Sequence, residues 1–280
     1  MDAAEMPRST SGSGHTWTVM DAEDLTQLVA ARLTMAGCVA ADEEATELVG
    51  AALGPAELDV LVRRREEGEP LAWITGSLRF CGHDTRVDRG VYVPRLQTEA
   101  LATRAARHLP ARDGARAVDL CTGTGAVAVH LMAARPRARV VAVDIDPRAV
   151  ACARRNGVRA VLADLDRREP PLRDGVFDVV TAVAPYVPTG QLHLLPADVQ
   201  RYEPRRSLDG GPDGLHLARR IVASAARLLR PDGWLLLEVG GNQDRGLVAT
   251  LATSGFAAAD VWFDEDGDLR GIAAQRAPVP

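Results

Sequence analysis

The 280-residue sequence contains no lysine, and all 33 of its basic residues are arginines. This absence excludes chemistry that requires a lysine, such as a Schiff base or the lysine of a phosphate-binding loop. Uncharged apolar runs of about 18 residues are also missing, so we expect no transmembrane helix and no membrane partner. The N-terminal residues include acids and carry no apolar segment of the secretory type, which indicates a cytoplasmic protein.

Cysteine is scarce and scattered, and the four thiols are those of Cys38, Cys81, Cys121 and Cys152. No C-x-x-C pair occurs, and no histidine pair lies nearby, so we expect neither a metal site nor a disulfide framework. The formal net charge of −5 argues against a nucleic-acid partner, because such proteins usually carry a basic patch. Apolar residues (46%) and charged residues (25%) have the proportions of a globular protein.

Changes in composition divide the chain into four segments. Residues 1–20 are rich in Ser, Gly and Thr and predict a disordered N-terminus. Apolar residues recur at helical spacing in residues 21–68, which predicts a small helical domain. In residues 69–93, glycines interrupt apolar residues that include Trp73, and this pattern predicts a linking β-hairpin. Residues 94–280 form the remaining domain.

Strand and helix patterns alternate in residues 94–280. The predicted strands are Ala117–Leu120, Val140–Val143, Ala160–Leu162, Val176–Val183, Trp234–Val239, Ala259–Phe263 and Gly271–Gln275. The predicted helices are 97–109, 125–134, 147–155, 214–229 and 243–254. This alternation predicts an α/β fold, with a mostly parallel, Rossmann-like sheet of seven strands covered by helices on both faces.

A glycine-rich loop, Asp119–Gly125, follows the first predicted strand and opens a helix. Its glycines allow a ligand to approach the backbone closely, and the start of the helix offers free N–H groups. The spacing Gly123-x-Gly125-x-x-Ala128 also fits the dinucleotide fingerprint. A tight turn without a ligand is the alternative interpretation.

Three acids bear on the choice of cofactor: dinucleotide enzymes share the first, Asp144, while Asp164 and Asp119 favour S-adenosylmethionine over a nicotinamide or flavin cofactor. Asp144 ends the second predicted strand, where a carboxylate can accept hydrogen bonds from both ribose hydroxyls. Asp164 ends the third, where it can accept one from the adenine amino group. Asp119 lies in the loop itself, where it would attract the cationic amino end of S-adenosylmethionine but repel a pyrophosphate.

Several segments match one set of motifs in the same order. They are Gly68–Gly76 with Phe80–Gly82, Val93–Glu99 (I-P-R-P-E-T-E), Asp119–Gly125, Tyr202–Leu215 (Y-E-P-R-x-A-L-x-G-G-x-D-G-L) and Leu237–Gln243 (L-E-I-G-x-x-Q). With these segments the chain resembles the PrmC/HemK family of protein-glutamine methyltransferases. The resemblance implies a class I methyltransferase sheet with a helical N-terminal domain. S-adenosylmethionine would be the cofactor, and S-adenosylhomocysteine its product.

The loop, the acids and the resemblance together define the cofactor-binding residues that we expect. They are Asp119, Cys121, Thr122, Gly123, Thr124, Gly125, Asp144, Ile145, Asp164, Leu165 and Val183.

The sequence departs from the family at the central motif. Val183-Ala184-Pro185-Tyr186 stands where the family has N-P-P-Y or N-A-P-Y, whose asparagine binds the substrate glutamine amide. Valine has no hydrogen-bonding group, so we expect a changed substrate: a small aromatic, indole-like metabolite of secondary metabolism, methylated at nitrogen or carbon. Gln97 in place of the family's glutamate is consistent with a remodelled pocket.

Two alternatives stay open. One is methylation of a glutamine in a release factor or ribosomal protein, and the other is cofactor binding without catalysis. The oligomeric state is left open as well.

The expected substrate and catalytic groups lie near the changed motif. The substrate-binding set is Val183, Ala184, Pro185, Tyr186 and Glu203, and the catalytic set is Glu203, Tyr186 and Tyr202. Glu203 could accept a hydrogen bond from a substrate N–H or O–H, or could serve only to order its loop. The ring of Tyr186 could form the pocket wall or pack in the core.

Overall fold

The computed structural model describes residues 21–278, so the predicted disordered segment 1–20 lies outside the described residues. The chain forms two compact units, which separate between Thr75 and Gly76. None of the described helices has the length and apolar character needed to cross a membrane.

The N-terminal unit is helical. Its helices are α1 (Ala22–Met35), α2 (Ala41–Ala51), α3 (Pro55–Glu66) and α4 (Leu71–Thr75). Asp21 caps α1 because its side chain accepts a hydrogen bond of 2.8 Å from the Asp24 N–H, which the first turn leaves unpaired. The inward stripes of the four helices form one apolar core, which includes Val29, Leu33, Leu48, Val62 and Ile74.

The structure corrects the first part of the predicted hairpin. Leu71–Thr75 is α4 rather than a strand, and it continues the helical unit beyond residue 68. A short apolar run fits a buried helix as well as a buried strand, and Pro70 favours a helix start directly after it. The hairpin itself is confined to β1 (Ser77–Phe80) and β2 (His83–Arg86).

The C-terminal unit contains a seven-stranded sheet with the order β5-β4-β3-β6-β7-β9-β8. Its strands are β3 (Arg116–Leu120), β4 (Arg139–Asp144), β5 (Arg159–Leu162), β6 (Phe177–Ala182), β7 (Leu229–Glu238), β8 (Phe256–Phe263) and β9 (Leu269–Arg276). The first five are parallel, while β9 runs antiparallel to β7 and β8. The predicted Rossmann-like fold is confirmed.

Helices cover both faces of this sheet. They are α5 (Glu99–His108), α6 (Ala126–Ala134), α7 (Pro147–Arg155), α9 (His216–Leu228) and α10 (Gln243–Thr253), while the short helix α8 (Ala197–Tyr202) lies in the segment between β6 and α9 and has no buried residue. Neighbouring residues of one strand belong to different cores: Ala117 packs with α5 and α6, and Val118 packs with α9. Burial on both faces explains why the parallel strands are continuously apolar.

The strand order places three chain segments at one edge of the sheet. β3 lies between β4 and β6, and Leu120 is in register with Val143 on one side and Ala182 on the other. From β3 the chain first adds β4 and β5 on one side, and it then crosses to the other side of β3 to add β6. Open α/β sheets bind ligands at such a change in the direction of strand order. The loops that follow these three strands therefore meet at the same place.

Candidate active site

A cavity of about 410 Å³ lies at the carboxyl ends of β3, β4 and β6. One side is formed by the glycine-rich loop and the end of β4. Most of the remaining wall is formed by residues 183–187 after β6 and by residues of the segments 90–98, 195–199 and 204–208. The cavity is therefore continuous from the expected cofactor loop to the changed motif.

The glycine-rich loop is held tightly against α7. Gly125 has a positive φ of 84°, and a Cβ atom there would lie 3.1 Å from the Cβ of Ala153 and 3.2 Å from a methyl of Val158. A side chain at this position would need both an unfavourable backbone and a displaced neighbour. The Thr122 N–H donates to the Val143 carbonyl at 3.1 Å, which fixes the loop to the end of β4.

Asp144 links the loop to the cavity wall. Its carboxylate accepts hydrogen bonds from the N–H groups of Gly123 at 2.9 Å and Asp146 at 2.8 Å, and it lines the cavity. Burial raises the pKa of Asp144, and these N–H donors oppose the shift only in part. The cavity thus contains a carboxylate that a hydrogen-bond donor would stabilise.

Asp119 lies beneath the loop and outside the cavity wall. It is only 2% exposed, and its two oxygens accept hydrogen bonds from the hydroxyls of Thr122 at 2.5 Å and Thr181 at 2.7 Å. Burial raises the pKa of Asp119 to about 6, because two neutral donors compensate only part of the lost hydration. A cation above Thr122 would stabilise the ionised form.

Seven of the expected cofactor residues line the cavity, and four do not. Those in the wall are Cys121, Thr122, Gly123, Thr124, Asp144, Ile145 and Val183; those outside it are Asp119, Gly125, Asp164 and Leu165. Leu165 is buried in the core, and the Asp164 carboxylate accepts a hydrogen bond from the Asp166 N–H at 3.0 Å. The buried hydroxyl of Thr124 has no hydrogen-bond partner among the described residues.

The changed motif lines the cavity with all four residues, Val183, Ala184, Pro185 and Tyr186. Its backbone is fixed from behind by Gln243, whose amide donates to the Tyr186 carbonyl at 2.7 Å. A Cβ atom on Gly210 would lie 2.7 Å from the Pro185 carbonyl oxygen, so this glycine is needed for the close approach of two chain segments.

The structure corrects the placement of two of the three expected catalytic side chains. Glu203 does not line the cavity: its side chain is 2% exposed and accepts a hydrogen bond of 2.5 Å from the guanidinium of Arg95. Tyr202 also lies outside the wall, with its ring 5.2 Å from the Arg201 guanidinium. The sequence motif shows that Tyr202 and Glu203 are adjacent, but it does not show that α8 ends at Tyr202 and that Glu203 follows the helix.

The residue that faces the cavity here is Arg95, which sequence reasoning did not select. Its guanidinium carbon lies 4.9 Å from the centre of the Tyr92 ring, and both residues line the cavity. Thr98 also lines it and donates to the buried carboxylate of Glu238 at 2.7 Å. Arg95 and Thr98 belong to the Val93–Glu99 motif, and Glu238 belongs to the Leu237–Gln243 motif. The motifs thus mark these residues, but they do not show that Thr98 and Glu238 are hydrogen-bonded.

The chain is similar in sequence to known proteins over most of its length. Residues 117–202 match a family model described as a methyltransferase domain. The release factor glutamine methyltransferase of Geobacter sulfurreducens is 38% identical over 80% of this chain and 80% of that protein. The protein of the same name from Deinococcus radiodurans is 35% identical over 92% of this chain and 99% of its own length. The chain belongs to the PrmC/HemK methyltransferase family.

The enzyme is thus an S-adenosylmethionine-dependent methyltransferase, and the predicted family, enzyme class and cofactor are confirmed. A solved precorrin-6y C5,15-methyltransferase from Geobacter metallireducens is 14% identical, with a TM-score of 0.45 over 64% of this methyltransferase and 89% of that chain. Among residues 21–278, no cluster of His, Cys, Asp or Glu side chains is arranged to hold a metal ion.

Proposed function

We propose that this enzyme methylates the side-chain amide nitrogen of a glutamine in a protein substrate, namely a release factor. The observation that carries the proposal is the extent of the similarity to relatives named for that activity. The Deinococcus radiodurans protein matches 92% of this chain, which includes far more than the cofactor loop. A similarity due to cofactor binding alone would be confined to the segments around the glycine-rich loop.

The cavity wall supports a specific set of cofactor contacts. We propose that Asp144 accepts hydrogen bonds from the ribose hydroxyls and that Thr124, which belongs to the same wall, packs against the cofactor. Asp119 would stabilise the cationic amino end from beneath Thr122. Ile145 would pack against the adenine, while Asp164 and Leu165 would shape its surroundings from outside the wall. The residues present therefore fit S-adenosylmethionine.

The main task of the protein in this reaction is orientation. When bound, S-adenosylmethionine would supply the methyl group and leave as a neutral thioether, and the amide nitrogen, on forming its new bond to carbon, releases one N–H proton to water. Holding the amide nitrogen in line with the methyl group can lower the barrier by up to ~7–11 kcal/mol. We propose that Tyr186 and Pro185 form the wall against which the amide is placed. Glu203 would act as a positioning residue, because it holds the Arg95 side chain at the cavity.

A small aromatic metabolite is the second candidate substrate, and Val183 is the observation that favours it. This side chain gives the cavity an apolar surface where the related motif has an amide. The relatives described above offer no support for secondary metabolism, and their names point to a protein substrate.

The substrate test compares the two candidates directly. The wild-type enzyme is incubated with S-adenosylmethionine and a Gly-Gly-Gln peptide or an intact release factor, and the products are mapped by mass spectrometry. We expect one methyl group on the glutamine, and none on a matched Gly-Gly-Asn peptide. Transfer to indole-like compounds but not to either glutamine substrate would instead support the metabolite candidate. Cofactor binding without transfer to any of them would indicate a binding protein.

Cofactor affinity is expected to fall about tenfold between pH 7 and pH 5. The pKa of Asp119 in the free protein is about 6, so at pH 5 only about a tenth of these carboxyl groups are ionised. The positive amino end of S-adenosylhomocysteine favours the ionised form, and its binding therefore weakens as the pH decreases through 6.

Calorimetric titration with S-adenosylhomocysteine at several pH values measures this effect. Asp119→Asn, which cannot ionise, should bind more weakly at pH 7 and with much less dependence on pH. A steep dependence that persists in Asp119→Asn would assign it to another group, with Asp144 as the first candidate because burial also raises its pKa.

A further inference from the structure

Several polar side chains in the cavity wall near the changed motif, from the segments 92–98 and 204–208, already have partners within the protein. Arg95 donates to Glu203 at 2.5 Å, and Thr98 donates to Glu238 at 2.7 Å. The Ser207 hydroxyl donates to the Pro204 carbonyl at 2.6 Å. These groups shape the wall, but these hydrogen bonds go to other groups of the protein and not into the cavity.

Gln97 differs from them. It lies in the 3-10 turn Leu96–Thr98, is exposed, and carries the only carboxamide among the residues that line this cavity. Among the described residues, its side chain makes no hydrogen bond of ordinary length to a protein group; its amide lies near the hydroxyl of Tyr186 in the changed motif, where it opposes in small part the rise in the pKa of Tyr186 that burial causes. A carboxamide has two N–H donors and one carbonyl acceptor, so a contact with Tyr186 still leaves both a donor and an acceptor available.

The proposed substrate has the matching chemistry. A glutamine side chain also presents one carbonyl and one NH₂ group, and an amide that is desolvated without partners is strongly disfavoured. Val183 can pair with neither group. We propose that Gln97 binds the carboxamide of the substrate glutamine through this free donor and acceptor; the inference rests on the proposed function.

The sequence around the cavity is consistent with an exchange between two positions. Where the motifs of the resemblance have a glutamate and an asparagine, this chain has Gln97 and Val183. Both positions line the same cavity, so the wall still contains one carboxamide although its location differs. The loss at position 183 and the gain at position 97 thus compensate each other chemically.

The test measures kcat/KM on the Gly-Gly-Gln peptide for Gln97→Ala and for Gln97→Glu, which keeps the shape but removes the donor. We expect each variant to lose about tenfold or more, as for an unpaired amide. Adding Val183→Asn to either variant should restore much of the loss. The affinity of each variant for S-adenosylhomocysteine should stay within twofold of the wild-type value, which would show that the fold and the cofactor-binding residues are intact. Gln27→Ala, at an exposed glutamine of α1, is the matched control.

Two results would overturn the inference while leaving the proposed function intact. One is a Gln97→Ala enzyme that methylates the peptide within twofold of wild type. The other is a Tyr186→Phe enzyme that reproduces the full loss of Gln97→Ala, because Gln97 would then act only by holding Tyr186. A wild type that transfers no methyl group to peptide or release factor would instead refute the proposed function, and the inference with it.

Discussion

Replacing Asp178 by alanine is expected to lower the free energy of unfolding by about 3 kcal/mol, since breaking a buried ion pair costs about 3–5 kcal/mol. Asp178 lies at the amino end of β6 and is 2% exposed. It accepts hydrogen bonds from the guanidinium groups of Arg112 at 2.7 Å and Arg230 at 2.6 Å, and from the Arg116 N–H at 2.8 Å. Both guanidinium groups reach solvent, which places the effect at the lower end of the range.

Urea unfolding, followed by the fluorescence of the tryptophans and by circular dichroism, measures this change. Asp113→Ala is the control, because its exposed ion pair with Arg137 should contribute less than about 1 kcal/mol. Asp178 lies at the sheet end opposite the cavity, so the folded variant should bind S-adenosylhomocysteine with unchanged affinity. A loss of less than 1 kcal/mol would show that Asp178 does not hold this end of the sheet together.

The sheet could be predicted because local patterns determine most of its elements. Continuously apolar strands alternate with amphipathic helices, so β3 and α9 were located to within two residues. Shorter elements are decided by tertiary contacts instead. Leu71–Thr75 has too few residues to show a period, and it becomes a helix where Ile74 can join the core of the N-terminal unit.

In the candidate site, too, features set by neighbouring residues could be predicted from the sequence, whereas contacts between residues far apart in the chain could not. The loop at Asp119–Gly125 and the acid at Asp144 are visible from spacing, since each directly follows a strand. The pairing of Arg95 with Glu203 joins residues that are 108 positions apart, and no periodicity reports such a contact. Sequence reasoning therefore predicted Glu203 as a cavity residue, whereas in the structure Arg95 lines the cavity and Glu203 is paired with it outside the wall.

Replacing Asp144 by alanine is expected to weaken the binding of S-adenosylhomocysteine by about 1.5–3 kcal/mol, the usual value of a hydrogen bond to a charged group. This corresponds to roughly a 10- to 150-fold higher Kd. The carboxylate lies in the cavity wall at the end of β4, where the proposed ribose site is.

The stability of the Asp144→Ala protein separates a binding role from a structural one. Burial raises the pKa of Asp144, which means that the free protein compensates its charge incompletely, so removal of that charge should cost little stability. Titration calorimetry should therefore show a large loss of affinity, while urea unfolding changes little. This is the reverse of the pattern expected for Asp178→Ala. Unchanged affinity in Asp144→Ala would contradict the proposed ribose contact, and a large loss of stability would show that this carboxylate mainly holds the glycine-rich loop.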